Sequence, residues 1–117
     1  MPILGIGVDV VDLSRFAASL ERTPTLRSRL FTADEAQLPV ESLAGRFAAK
    51  EAFVKAMRAP AGMSWQDIEV VPGAEGEPHL ALTGAALDRA RELGMTTVHV
   101  SISHDTSVAT AFVVAEC

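Results

Sequence analysis

The segment GRFAAKEAFVKAMR, residues 45–58, is the strongest helix signal in the sequence. It is rich in Ala, Lys, Glu, Phe and Met, and it contains no proline and no internal glycine. We therefore predict a main helix over residues 42–58, which the segment APAG would end. A chain of 117 residues is expected to form one domain, with a single modest core for this helix to pack into.

The charged residues of this helix do not lie along one solvated stripe, as they would on a surface helix. On an ideal helix they fall near about 0°, 40°, 140° and 180° for Arg46, Lys50, Glu51 and Lys55. Phe47 and Val54 lie between them and form an apolar wedge. If the wedge is buried, the charges beside it line the rim of a cleft. Arg46, Lys50 and Lys55 would then form a polyphosphate site on one helix.

Residues 3–11, ILGIGVDVV, alternate in the manner of a strand. The apolar face carries Ile6, Val8 and Val10, and the nearly bare face carries Gly5, Gly7 and Asp9. A dinucleotide loop is disfavoured, because the third glycine of G-x-G-x-x-G is absent and both glycines lie within the strand. Gly5 and Gly7 instead predict the close approach of another backbone or of a ligand, which Asp9 would face.

The remaining segments alternate between helix and strand signals. A helix over residues 13–22 follows the first strand, and FTADEAQL predicts a short helix in which Thr32 and Glu35 form a capping box. WQDIEVVPGAEGEPHLALT predicts two strands, Thr83 would cap another helix, and TTVHVSISHDTSVATAFVVAE predicts a final hairpin. Separated helices and strand pairs of this kind indicate an α+β fold.

The composition excludes several classes of protein. A net charge of −5 argues against a general nucleic-acid binder. The only cysteine, Cys117, allows no internal disulfide, which fits a reducing cytoplasm. No basic residues precede the first apolar stretch, as they would in a signal peptide. The longest apolar run, VATAFVVA, is far shorter than the roughly 20 residues of a membrane helix. We expect a cytoplasmic protein that binds neither nucleic acid nor membrane.

Near the end of the chain, Ser103, His104 and Asp105 have the residue types of a hydrolase triad. Consecutive residues of a strand point to opposite sides, however, so they cannot act in sequence as nucleophile, base and orienting acid. A hydrolase triad is therefore disfavoured.

Asp9 and Glu51 are the better candidate pair. Mg²⁺ is typically held by one or two carboxylates together with substrate phosphates and water, so it does not require a full protein cage. From spacing alone, a surface pair of Glu51 with Lys55 is favoured over a metal site. The split charge pattern of the helix weakens that alternative.

Four segments occur in the order and spacing of one known family: GIGVDVVDLSRF, FTADE, AGRFAAKEAFVKAM and VSISHD. Over essentially its whole length the chain resembles the holo-[acyl-carrier-protein] synthases, the small trimeric class of 4′-phosphopantetheinyl transferases. The resemblance implies a single α+β domain over residues 1–117, with a small antiparallel sheet packed on a long helix. It also implies Mg²⁺-dependent transfer of 4′-phosphopantetheine from coenzyme A to a serine of apo acyl carrier protein, releasing adenosine 3′,5′-bisphosphate. The product would serve fatty acid biosynthesis, with polyketide carriers as an alternative.

By this resemblance Asp9 and Glu51 are the expected Mg²⁺ ligands, and Glu51 and Lys55 are expected to take part in catalysis. The expected coenzyme A ligands are Arg46, Lys50, Lys55 and His104. Arg15 and Arg22 share one helix face and are expected to bind the acidic carrier protein. The family implies a homotrimer with active sites between subunits.

A base must also take the proton of the carrier serine. A metal-bound water, Glu35 and Asp105 are candidates, and Asp105 is preferred because it follows His104 directly. Two other functions could use the same carboxylates: a metal-dependent phosphohydrolase, and a non-catalytic trimeric module for a phosphorylated ligand. The segment RAPAGMSW replaces the glycine-rich turn common in the family, which leaves backbone contacts to coenzyme A open there.

Overall fold

A computed structural model describes residues 2–59 and 62–117 of the protein. Its strands are β1 (Ile3–Asp12), β2 (Ile68–Pro72), β3 (Pro78–Leu82), β4 (Thr97–Asp105) and β5 (Val108–Glu116). Its α-helices are α1 (Leu13–Arg22), α2 (Leu26–Leu30), α3 (Ala33–Ala36), α4 (Val40–Met57) and α5 (Gly84–Glu92). Trp65–Asp67 form a 3₁₀ turn. Each predicted helix and strand is present, and α2 is a short helix that the sequence pattern does not predict.

The main helix α4 starts two residues before its predicted beginning and ends one residue early. Arg58 terminates it in the left-handed conformation, with φ of 46°, and its N–H bonds back to Lys55 and Val54 carbonyls. Pro60 and Ala61, which belong to the predicted stop signal APAG, lie outside the described residues. In the part of the chain that the structure describes, no helix is long and apolar enough to cross a membrane.

The strands form two antiparallel sheets. The larger has the order β1, β5, β4, and the smaller is the hairpin of β2 and β3. Alternate residues of the central strand β5 are fully buried on the face that packs against α4, namely Ala109, Ala111, Val113 and Ala115. The prediction of an α+β fold with a small antiparallel sheet packed on a long helix is therefore confirmed.

The bare face of β1 packs against the backbone of α4. A Cβ atom added at Gly5 would lie 1.9 Å from the carbonyl oxygen of Ala56, and one added at Gly7 would lie 1.8 Å from that of Ala52. Only glycine allows a strand and a helix to approach this closely. The predicted close approach of another backbone is confirmed, and it turns Asp9, two residues further along β1, toward α4.

The opposite face of the sheet is uncovered in the described residues, and the side of it that β1 forms is apolar. Ile6, Val8 and Val10 of β1 are 56%, 48% and 63% exposed. Phe112 of β5, which pairs with Val8, is 47% exposed. These four residues lie on the same side of the sheet, because successive side chains of a strand point to opposite faces. A contiguous apolar surface of this kind usually marks a contact with another protein.

We predict that Gly7→Ala destabilises the protein by at least about 3 kcal/mol, because its methyl group would overlap a helix carbonyl that cannot move alone. Urea unfolding followed by circular dichroism measures this loss. Gly94→Ala is the control, since Gly94 has a φ of 80° but open space around it. That variant should lose only about 1–2 kcal/mol from backbone strain. Equal losses in both variants would contradict the close packing of β1 on α4.

Candidate functional site

Asp9 and Glu51 line one cavity of about 370 Å³ between β1, α1 and α4, which we call the carboxylate cavity. Asp9 enters it from the glycine face of β1, and Glu51 enters it from α4. Arg15 of α1 lies at the cavity, and Phe16 and Phe47 form an aromatic wall with ring centroids 5.5 Å apart. The tertiary structure thus brings together the two carboxylates that the sequence places 42 residues apart.

Two carboxylates in one partly buried cavity are electrostatically unfavourable without a cation. Burial raises the pKa of Glu51, the charge of Asp9 raises it further, and the charge of Lys55 opposes both effects. The Nζ atom of Lys55 lies 3.0 Å from Asp9 Oδ1 and donates a second hydrogen bond, also 3.0 Å, to the carbonyl of Val8. Lys55 therefore pairs with Asp9, not with Glu51 as the surface-pair alternative requires.

The oxygen-only character of this pair suits a hard divalent cation such as Mg²⁺. Within residues 2–59 and 62–117, no group of three or more His, Cys, Asp or Glu side chains could hold a metal ion. A cation bound between Asp9 and Glu51 would therefore complete its coordination with oxygens of a ligand and of water. The donor set fits Mg²⁺ on those terms.

Lys50 lies in the interior of the protein and not at the rim of a cleft, so the prediction that it lines one is wrong. Its side chain is fully buried, and its Nζ donates to Glu35 Oε1 at 2.6 Å, to the carbonyl of Leu30 at 2.7 Å and to that of Trp65 at 3.2 Å. An ammonium has three hydrogens, and all three are used. Burial lowers the pKa of Lys50, and its bond to Glu35 opposes that decrease. We conclude that Lys50 is a structural residue.

Glu35 is equally committed to the interior, which removes it as a candidate base. Besides Lys50, it accepts hydrogen bonds from the backbone N–H of Thr32 and of Val70. The predicted capping box is confirmed, since Thr32 also accepts from the N–H of Glu35. The capping box is the sequence signal that indicates a structural role for Glu35. The sequence pattern does not indicate that Glu35 also pairs with Lys50.

Arg46 and His104 line a second cavity of about 220 Å³, which we call the arginine cavity. The Nε atom of Arg46 is buried without a hydrogen-bond partner in the described residues. Ser42 and Gly45 of α4 and Ile102 of β4 complete this part of the wall. A buried guanidinium N–H that lacks a partner is suited to an anionic ligand such as phosphate.

The two cavities share no residue, because their α4 residues lie on different sides of the helix. Arg46 faces the arginine cavity, Lys55 bonds to Asp9, and Lys50 is buried in the core. The predicted polyphosphate site on a single helix is therefore wrong for one chain. The wedge of Phe47 and Val54 is also only partly buried, and α4 is seated by the fully buried side chains of Leu43, Phe53 and Met57 together with small alanines.

Comparison with known proteins identifies the family. Residues 5–113 match the 4′-phosphopantetheinyl transferase superfamily. The chain belongs to this superfamily. It is 57% identical over 114 residues to the holo-[acyl-carrier-protein] synthase of Clavibacter sepedonicus. The aligned part covers 97% of this chain and 96% of the relative.

Solved structures of the same family have the same fold. The holo-[acyl-carrier-protein] synthase of Neisseria meningitidis superposes with a TM-score of 0.90 at 34% identity, covering 99% of this chain and 100% of the other. The Helicobacter pylori holo-[acyl-carrier-protein] synthase, solved in complex with coenzyme A, gives a TM-score of 0.83 at 28% identity and covers 95% of this chain and 99% of the other. The predicted family is confirmed.

In this member of the superfamily, Asp105 does not share a cavity with Asp9. Asp105 is exposed at the end of β4, and the alternation along that strand places it with Ser103 on the uncovered face of the sheet. His104 lies on the opposite face, beside α4. As the choice of Asp105 rested on its position next to His104, geometry within one chain does not support it.

Arg15 and Arg22 are both exposed on α1, as a docking face requires. Arg22 donates a 3.4 Å hydrogen bond to Ser19, which lines the carboxylate cavity beside Arg15. Arg27 is different, because its guanidinium bonds to the carbonyl of Ala36 at 2.9 Å and so ties α2 to α3. The face of α1 that carries Arg15 and Arg22 therefore adjoins the carboxylate cavity.

We predict that Lys50→Met destabilises the protein by about 3–5 kcal/mol, because it leaves the buried carboxylate of Glu35 uncompensated. The double variant Glu35→Gln with Lys50→Met should recover part of that loss. Urea unfolding of both variants measures the difference. Wild-type stability of Lys50→Met together with a loss of coenzyme A binding would instead make Lys50 a ligand.

Proposed function

We propose that this protein transfers the 4′-phosphopantetheine group of coenzyme A to a serine of apo acyl carrier protein. The serine oxygen forms a bond to the phosphorus on the pantetheine side of the diphosphate, and the phosphoanhydride bond breaks. Adenosine 3′,5′-bisphosphate leaves, and the serine proton passes to a base. The observation that carries the proposal is the pair of Asp9 and Glu51 in one open cavity with Lys55 bonded to Asp9. Curated relatives named for this activity support it.

Asp9 and Glu51 are the residues that would hold Mg²⁺. When bound, the ion would neutralise charge on the diphosphate, which lowers the barrier to phosphoryl transfer. Lys55 is proposed to neutralise negative charge that grows on the leaving oxygen, since its half-exposed side chain contacts Asp9, which lines that cavity. Asp105 and a bound water remain the proposed bases, and Asp105 could reach a carboxylate cavity only if another chain supplied it.

Arg46 and His104 are proposed to hold phosphate groups of coenzyme A. Arg46 can grip a phosphate with two parallel hydrogen bonds, and its buried Nε already lacks a partner in the described residues. Lys50 is withdrawn from this role because its three hydrogens are used inside the protein.

We further propose a homotrimer in which one chain's carboxylate cavity meets the arginine cavity of a neighbour. Two features support this assembly. The phosphate-binding and carboxylate groups lie in separate cavities of one chain. The sheet also leaves Ile6, Val8, Val10 and Phe112 about half exposed, which is an apolar surface suited to a subunit contact.

Arg15 and Arg22 are proposed to dock the carrier protein, because acyl carrier proteins are acidic and α1 borders the cavity where the serine would react. A local basic face can attract an acidic partner even in a chain with a net charge of −5. Carriers of fatty acid biosynthesis are the proposed partners, and polyketide carriers are the alternative.

Intact-mass spectrometry of apo carrier protein, incubated with coenzyme A and Mg²⁺, tests the activity. We expect a phosphopantetheine adduct with the wild-type enzyme, and at least about 100-fold slower transfer with Glu51→Gln, because a metal ligand is lost. Asp88→Asn, which changes an exposed carboxylate on α5, is the matched control and should transfer normally. Absence of an adduct on any of several carriers would overturn the proposal, and release of phosphate from coenzyme A would indicate a phosphohydrolase.

Mixed oligomers test whether the site is shared between subunits. Asp9→Asn and Arg46→Ala should each be nearly inactive alone at limiting coenzyme A. After the two variants are unfolded and refolded together, about a quarter of the sites should combine an intact Asp9 with a neighbour's intact Arg46. Recovery of roughly that share of activity is expected, in a species of trimeric mass by light scattering. Mixed trimers without recovered activity would place the whole site in one chain.

A further inference from the structure

Lys55 occupies a defined position although half of its side chain is exposed to water. Its side chain is 52% exposed and that of Asp9 is 17% exposed. The Nζ atom nevertheless donates to both Asp9 Oδ1 and the carbonyl of Val8, each at 3.0 Å. Lysines at exposed sites usually extend into solvent, because holding them costs side-chain entropy. The two hydrogen bonds together with the charge of Asp9 offset that cost here.

The ammonium of Lys55 also lies beside Asp9, one of the two carboxylates of the carboxylate cavity. Asp9 and Glu51 repel one another, and their repulsion is one of the causes that raise the pKa of Glu51. Arg15 lines the same cavity, but among the described residues no ion pair joins it to either carboxylate. Lys55 is thus the cation in direct contact with Asp9, and its charge also opposes the rise in the pKa of Glu51.

We propose that Lys55 acts as the resident counter-ion of the free enzyme, and that its ammonium must leave Asp9 before a divalent cation can bind there. This inference rests on the metal site of the proposed function. Two cations cannot both lie within a few ångströms of the same carboxylate oxygen without strong repulsion. Lys55 can move because four rotatable bonds join its ammonium to α4 and half of its side chain already faces water.

The displaced ammonium remains attached to α4 near the cavity. There it could donate a hydrogen bond to an anionic phosphate oxygen. A phosphate ligand that engages Lys55 would free Asp9, and a cation at Asp9 would free Lys55 for the phosphate. Binding of the two should therefore be mutually favourable in the wild-type enzyme, and by linkage the coupling must be the same in both directions. Without Lys55, this part of the coupling is lost.

Titration of Mn²⁺, as a spectroscopic substitute for Mg²⁺, into the free enzyme by electron paramagnetic resonance tests the inference without measuring turnover. Lys55→Met should bind Mn²⁺ about two- to fivefold more tightly than the wild type, the range expected for loss of a partly exposed ion-pair competitor. Arg91→Met is the matched control, because it removes the same charge from an exposed position of α5. It should leave the affinity unchanged, and a thermal melt confirms that each variant is folded.

The variant Asp9→Asn distinguishes a failure of the counter-ion role from a failure of the proposed metal site. If Mn²⁺ binding depends on Asp9 but Lys55→Met binds no more tightly than the wild type, the counter-ion role is overturned and the metal site of the proposed function stands. If neither the wild type nor Lys55→Met binds Mn²⁺ in a way that depends on Asp9, both the metal site and the counter-ion role fall. Addition of coenzyme A should tighten Mn²⁺ binding more in the wild type than in Lys55→Met, and equal tightening would also count against the role.

Discussion

The structure depends on the contact between the glycine face of β1 and the backbone of α4. Gly5 and Gly7 lie where any side chain would overlap the carbonyl oxygens of Ala56 and Ala52. Because the strand approaches the helix so closely, Asp9 is carried to the same cavity as Glu51. The same contact turns the other face of β1 outward, so that Ile6 and its apolar neighbours are left exposed.

A second constraint comes from the buried pair of Lys50 and Glu35. The two side chains join α4 to α3, and their hydrogen bonds to backbone groups reach the end of α2, the turn at Trp65 and β2. Breaking it would leave a buried charge or several buried backbone groups without partners, which is costly in an apolar interior. Lys50 therefore holds in place the elements that form the walls around Arg46 and Phe47.

The charged side chains of α4 lie in three different environments. Arg46 faces the arginine cavity, Lys50 lies in the core, and Glu51 lies in the carboxylate cavity with Lys55 one turn further along at Asp9. A helix within a small protein has neighbours on most of its sides, so charges at different angles meet different environments. This division explains why one chain holds the residues that we propose for phosphoryl transfer in separate places, and why we propose that subunits combine them.

The sequence by itself determined every helix and strand except α2, together with the α+β class and the family, because those follow from local periodicity, capping residues and four motifs in a fixed order. It also predicted the close approach at Gly5 and Gly7 and the pair of Asp9 and Glu51. It could not distinguish Lys50 from the cations that face a cavity, since helical angles place Lys50 beside Arg46 and say nothing of what packs there. That distinction was decided by the tertiary structure. Burial brings the carboxylate of Glu35 to Lys50, 15 residues away in the chain, and such pairing over long separations has no signature in local sequence.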